Sequence, residues 1–102
     1  MIAEIAHRRP EVATLCERYN VRRLDVFGSA ARETDFGPAS DVDVLVAYDP
    51  AHAPPSLGDF LALREALAAL FGRNVDLIVD GVVRNPYVKA SIERSRQTLH
   101  GA

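Results

Sequence analysis

Leu24-Asp25-Val26-Phe27-Gly28-Ser29-Ala30-Ala31-Arg32, followed after a short loop by Ser40-Asp41-Val42-Asp43-Val44-Leu45-Val46, is the stretch that decides the fold. It reads as strand, tight turn, helix start, loop and second strand. Gly28 and Ser29 end one element and open the next. The first N–H groups of a helix have no intrahelical acceptor and carry partial positive charge, so this turn is a candidate anion seat. Asp41 and Asp43 stand two apart at the head of an apolar strand. Side chains alternate along a strand, so both carboxylates leave one face, about 7 Å apart along the backbone. Like charges held that close repel unless a cation lies between them, and carboxylate oxygens suit magnesium. A phosphate seat beside a magnesium-binding pair points to phosphoryl or nucleotidyl transfer.

Upstream, residues 2–20 carry a helical pattern, with Val12, Leu15, Cys16 and Tyr19 on one stripe. Pro10 lacks an N–H and disfavours helix at Arg9, so a short first turn precedes a main helix that starts near Pro10 and stops at Asn20. Val21–Phe27 is the first strand, with Leu24 and Val26 on one side. Asp25 falls on the other side, where a surface or edge position is expected rather than a catalytic one. Ser29 to about Arg32 opens a short helix, and residues 34–40 have loop composition. In the strand Val42–Tyr48, the valines at 42, 44 and 46 take one face and Asp41, Asp43, Leu45 and Ala47 the other.

Downstream, Ser56 and Asp59 have capping-box spacing ahead of a helix over Leu57–Phe71. Its expected apolar face is Leu57, Phe60, Leu61, Leu67, Leu70 and Phe71, and Gly72 is a stop signal. Asn74–Asp80 reads as a third strand. Asn85-Pro86 is a cap followed by proline at the first helical position, opening a last helix to about Arg96. Thr98–His100 either adds a short edge strand or frays. The alternation of helix and strand gives an α/β (α+β) class: a short mixed sheet, helices packed mainly on one face, the other face partly open. The aspartates belong to that open face.

Asp76 lies inside the third strand between Val75 and Leu77. A charge there is costly to bury unless it is paired or binds metal. Pairing with an arginine such as Arg73 is one reading. If the third strand lies beside the second, Asp76 converges on Asp41 and Asp43, and three carboxylates can hold two magnesium ions about 3.5–4 Å apart.

The 102 residues suit one domain, 1–102. With 48% hydrophobic and 25% charged residues the composition is that of a globular protein, and a net charge of −2 argues against a general nucleic-acid binder. The lone Cys16 has no internal disulfide partner and reads as core. No stretch is long enough to span a membrane and no signal peptide precedes the fold, so a reducing cytoplasm is the expected setting.

The Gly28-Ser29-Ala30-Ala31-Arg32 turn, the Ser40-Asp41-Val42-Asp43 strand head and the later strand Asp76 together resemble the minimal nucleotidyltransferases of the DNA polymerase beta superfamily. The small size is similar to the antitoxin branch, encoded beside HEPN-domain ribonuclease toxins. The resemblance implies a nucleotidyltransferase fold. It implies Asp41, Asp43 and Asp76 as catalytic metal ligands, with Gly28 and Ser29 as triphosphate contacts. Ser40 is placed with the nucleotide contacts, and Arg32 is either one of them or a solvated helix residue. It implies two Mg2+ ions, ATP as substrate, and transfer of AMP to a tyrosine hydroxyl of a HEPN toxin. Many members carry glycine after the motif arginine, whereas this chain has Glu33. A non-catalytic antitoxin that neutralises its partner by covering it is the alternative. Transfer to a small molecule such as an aminoglycoside ranks third, for want of a second domain to hold that acceptor. Association as a homo- or hetero-oligomer is compatible with the sequence.

Overall fold

The computed structural model describes residues 1–33, 36–37 and 39–101. Its elements are α1 (Ala3–Ala6), α2 (Arg9–Arg18), β1 (Val21–Phe27), α3 (Ser29–Arg32), β2 (Val42–Tyr48), α4 (Leu57–Phe71), β3 (Val75–Val79), α5 (Pro86–Ser95) and β4 (Gln97–His100). The four strands form one sheet in the order β3-β2-β1-β4. β2 and β3 run parallel, while β1 is antiparallel to both β2 and β4, so the sheet is mixed. The terminal Thr98–His100 segment is thus an edge strand.

Local chemistry explains the boundaries. Asn20 ends the α2 region in a left-handed conformation at φ 58°, which asparagine tolerates better than most residues. Ser56 and Asp59 form a reciprocal capping box: the Asp59 N–H donates to Ser56 Oγ at 3.0 Å and the Ser56 N–H to Asp59 Oδ2 at 3.2 Å. Gly72 closes α4 at φ 66°. Asn85 Oδ1 accepts the N–H groups of Tyr87 and Val88, so Pro86 starts α5 with its missing donor at a harmless position.

The main core lies between one sheet face and helices α2 and α4. Leu24 and Val26 from β1 and Val42, Val44 and Val46 from β2 pack there, together with Val12, Leu63 and Leu67, and all are fully buried. Each such side chain contributes about 1.5–3 kcal/mol relative to exposure. Cys16 joins this core, as its apolar neighbours suggest. The packed stripe of α4 is Leu63, Leu67 and Phe71, four residues apart. Leu57 and Leu61, expected on that stripe, face solvent at 73% and 37% exposure. Their spacing allows an apolar face two turns longer than the one the sheet covers.

The second face is only partly open, because α5 lies over it. Ile92 and Ser95 are the buried residues of α5, and Ile92 lines a small cavity together with Leu45. Here one expectation fails. Asp25 is fully buried, with Oδ1 taking Arg23 Nε at 2.9 Å and Oδ2 taking Arg96 Nε at 2.8 Å. A carboxylate can occupy the interior when two guanidinium groups replace its water. No helix among the described residues is long and apolar enough to cross a membrane.

Candidate active site

The site is assembled at the end of the sheet where β1 finishes and β2 and β3 begin. Parallel pairing puts Asp43 directly opposite Asp76, and antiparallel pairing puts Phe27 opposite Asp43. Asp41 precedes β2 by one residue and shares parity with Asp43. Val42 and Val75, also partnered, turn the other way into the core. The alternation that buries the valines therefore presents the aspartates on the opposite face. A bond from the Val42 N–H to the Asn74 carbonyl, 2.9 Å, ties the two strand heads together.

Asp43 is half-buried, while Asp41 and Asp76 are exposed. The Asp43 carboxyl is pushed above its ordinary range, first by burial, then by the negative charges of Asp76 and Asp41; Arg32 pulls the other way. So Asp43 feels both neighbouring carboxylates and the Arg32 guanidinium, which is exposed at the end of α3. Asp76 makes no ion pair with a described residue. Among the described residues, no three carboxylate, imidazole or thiol groups are gathered tightly enough to cage an ion by themselves.

Gly28 caps α3 at φ 70°, ψ −148°, a conformation that side chains resist. A Cβ there would stand 2.5 Å from Asp43 Oδ2. The glycine is needed because a carboxylate packs on its Cα. Ser29 and Ala30 are the first residues of α3, so their N–H groups have no intrahelical acceptor. The far end of α3 is held by the N-terminal segment: the Ile2 N–H donates to the Ala30 carbonyl at 3.1 Å and the Met1 amino group to that of Ala31 at 3.0 Å. Glu33 then adopts the left-handed conformation, φ 65° and ψ 8°. Glycine suits that position, and glutamate occupies it without altering the helix end, since its N–H still donates to the Ser29 carbonyl at 2.8 Å.

Ser40 shapes the approach to Asp41. Its Oγ accepts the Gly37 N–H at 2.9 Å, and its own N–H donates to the Gly37 carbonyl at 3.1 Å. Thr34, Asp35 and Pro38 of the preceding loop lie outside the described residues. Arg73, considered above as a partner for Asp76, serves this loop. It donates to the Gly37 carbonyl at 2.8 Å, lies over the Phe36 ring at 4.2 Å and reaches Glu4 at 3.3 Å. That role has no local signature in the sequence, because loop and arginine are more than thirty residues apart. Asp25 and Arg96, separated by 71 residues, were hidden for the same reason. The Arg23–Asp25 half of the cluster could have been found, since opposite charges two apart on a strand share a face.

A nucleotidyltransferase domain family matches residues 12–99. The chain is 40% identical over 92 residues to MJ1217 of Methanocaldococcus jannaschii, covering 90% of this chain and 88% of that protein. It is 40% identical over 75 residues to a protein of Thermococcus cleftensis named protein adenylyltransferase MntA, covering 74% and 72%. A solved structure described as a minimal nucleotidyltransferase superposes with a TM-score of 0.69 at 33% identity, over 89% of this chain and 88% of that one. The fold also matches a Shewanella oneidensis structure of a tri-AMPylated HEPN toxin in complex with MNT antitoxin. That match has a TM-score of 0.66 at 15% identity and covers 96% and 73% of the two chains. On the extent of these matches, the chain belongs to the nucleotidyltransferase domain family.

Proposed function

We propose that this chain is a magnesium-dependent adenylyltransferase that moves AMP from ATP to a tyrosine hydroxyl of a HEPN-type ribonuclease toxin and so acts as its antitoxin. The observation that carries the reading is the placement of Asp43 opposite Asp76 and two residues from Asp41, beside the Gly28–Ser29 turn, where burial and then those two charges raise its carboxyl. A fold has no need of three repelling acids at one strand end; a cation relieves them. Magnesium is typically held by one or two carboxylates, with substrate phosphates completing the shell, rather than by an all-protein cage. The looseness of the acidic group fits that mode. Asp41 and Asp43 would hold the ion, with Asp76 the third carboxylate. When bound, magnesium neutralises triphosphate charge and raises the acidity of the acceptor hydroxyl.

The chain's own residues supply the rest. The Ser29 and Ala30 N–H groups and the Ser29 hydroxyl bind phosphate oxygens, and Arg32 meets the departing pyrophosphate. The acceptor oxygen bonds to the α-phosphorus, and the bond to the bridging oxygen breaks with its electron pair leaving on pyrophosphate. Asp76, exposed and free of ion pairs with described residues, takes the hydroxyl proton. A protein acceptor is supported by the name of the Thermococcus relative, and a HEPN partner by the Shewanella complex of like fold.

The test is incubation with α-labelled ATP, magnesium and the proposed HEPN-type partner. Label on a toxin tyrosine is expected, absent with an Asp41→Ala, Asp43→Ala double variant. An unlabelled toxin, or equal labelling by the double variant, refutes the reading. Retained protection of cells by that double variant would favour the covering antitoxin.

A further inference from the structure

We propose that Ser95 is a positioning residue, holding the Gly28–Ser29 turn from a helix that contributes nothing else to the site. The functional consequence rests on the adenylyltransferase reading; the positioning itself does not.

Gly28 has no side chain to anchor it and occupies a region of backbone space where glycine alone moves freely. Its N–H donates to Ser95 Oγ at 3.0 Å, and Ser95 is only 7% exposed. The hydroxyl proton of Ser95 is directed back at α5, toward the carbonyls of Ser91 at 3.3 Å and Ile92 at 3.4 Å. That leaves a lone pair for Gly28, so donor and acceptor are unambiguous. With the Gly28 N–H engaged, the donors left at the turn for an anionic oxygen are those of Ser29 and Ala30.

Arg96, the next residue, fixes where Ser95 stands. It caps α5 and binds three carboxylates: Asp25 Oδ2 at 2.7 Å, Glu93 Oε1 at 2.7 Å and Asp80 Oδ2 at 3.0 Å. Burial alone would weaken its charge, but these bonds more than offset that and hold it protonated. Asp25 lies three residues before Gly28 and is fully buried opposite Leu45. Stability alone does not call for charge there, because well-packed apolar residues replacing Asp25 and its partners together are often as stable, whereas removing Asp25 alone would strand two guanidinium groups. What the pair adds is a unique seat for the last turn of α5. The helix has little other hold, since eight of its ten residues are exposed or half-buried. Its grip on the domain is concentrated beside the turn.

The experiment uses the full chain as wild type, Ser95→Ala and Ser95→Thr. By NMR, the wild-type Gly28 amide should exchange slowly while those of Ser29 and Ala30 exchange faster. Ser95→Ala should lose that protection at least tenfold, and Ser95→Thr should keep it. In adenylyl transfer, losing one buried hydrogen bond should raise KM for ATP about five- to thirty-fold. The kcat and the KM for the acceptor should stay within about two-fold, and threonine should restore the ATP value. A Gly28 amide that exchanges fast in wild type, or stays protected in a folded Ser95→Ala variant, overturns the proposal. So does an unchanged KM for ATP in Ser95→Ala. A wild type that transfers no AMP refutes the adenylyltransferase reading alone, and the exchange data then decide the positioning claim.

Discussion

Replacing Gly28 by alanine probes the contact on which the site is built. The perturbation has two parts. Alanine must adopt φ 70°, ψ −148°, a region nearly reserved for glycine, at about 1–3 kcal/mol. Its Cβ would also stand 2.5 Å from Asp43 Oδ2 and 3.5 Å from its carboxyl carbon. The end of a short side chain can rotate away, so this part costs about 0.5–1.5 kcal/mol for an off-rotamer Asp43. The sum, about 1.5–4.5 kcal/mol, is a sizeable share of the roughly 5–15 kcal/mol that holds a domain together. For a chain of this size it should lower Tm by about 10–20 °C. Thermal and urea unfolding of four proteins (wild type, Gly28→Ala, Asp43→Ala and the double variant) separates the parts. The backbone penalty should persist in the double variant, while the Asp43 part should disappear as a coupling of about 0.5–1.5 kcal/mol. Activity of the single variant should fall by about a hundred-fold or more, because a carboxylate moved by 1 Å no longer meets its target. A Gly28→Ala variant within 0.5 kcal/mol of wild type, or a cycle with no coupling, would refute this reasoning.

Three further outcomes can be checked alongside. Because the folded Asp43 carboxyl is raised above its ordinary value of 3.8, metal-free protein should lose stability as pH climbs from that value through the raised one. Asp43→Asn should therefore melt above wild type at neutral pH without metal, match it below about pH 4, and gain nothing from added magnesium; equal melting at every pH would count against the acidic cluster. Glu33→Gly should stabilise by about 0.5 kcal/mol, since relief of roughly 1–2 kcal/mol of left-handed strain exceeds the entropy glycine adds to the unfolded chain. Its ion pair with the Met1 amino group, long at 3.5 Å and exposed on the glutamate side, subtracts little; a Tm lower than wild type would contradict this. Burial pushes the Cys16 thiol up to about 12, so iodoacetamide should modify it at pH 8 only on unfolding, and rapid native labelling would show the core to be open.

The aspartates were legible because strand periodicity is simple. Two acids at i and i+2 before an apolar run must share a face, and a lone acid between Val75 and Leu77 is conspicuous. The parallel register that sets Asp76 opposite Asp43 was only conditional in the sequence; pairing of distant strands has no local mark. Caps were readable for the opposite reason, being decided within four residues, as at Ser56 and Asn85. What stayed hidden depends on contacts remote in sequence. Asp25 looked like a surface residue because its partner Arg96 comes from a helix whose docking face is just Ile92 and Ser95, too sparse to show as a stripe. Leu57 and Leu61 misled because apolar spacing records what a helix could bury, while the extent of the sheet decides what it does bury. Glu33 looked like a departure from a family pattern. In the fold it takes the left-handed conformation that glycine would favour, so the helix end survives the substitution.

The most direct measurement is a crystal structure of the chain grown with manganese and a non-hydrolysable ATP analogue, recorded at the manganese absorption edge. Anomalous density is expected against the carboxylates of Asp41 and Asp43 at about 2.1–2.2 Å, with triphosphate oxygens on the Ser29 turn and Asp76 facing the α-phosphorus. Manganese and nucleotide bound elsewhere, with these three aspartates left in water, would contradict the claim that they form the reaction centre.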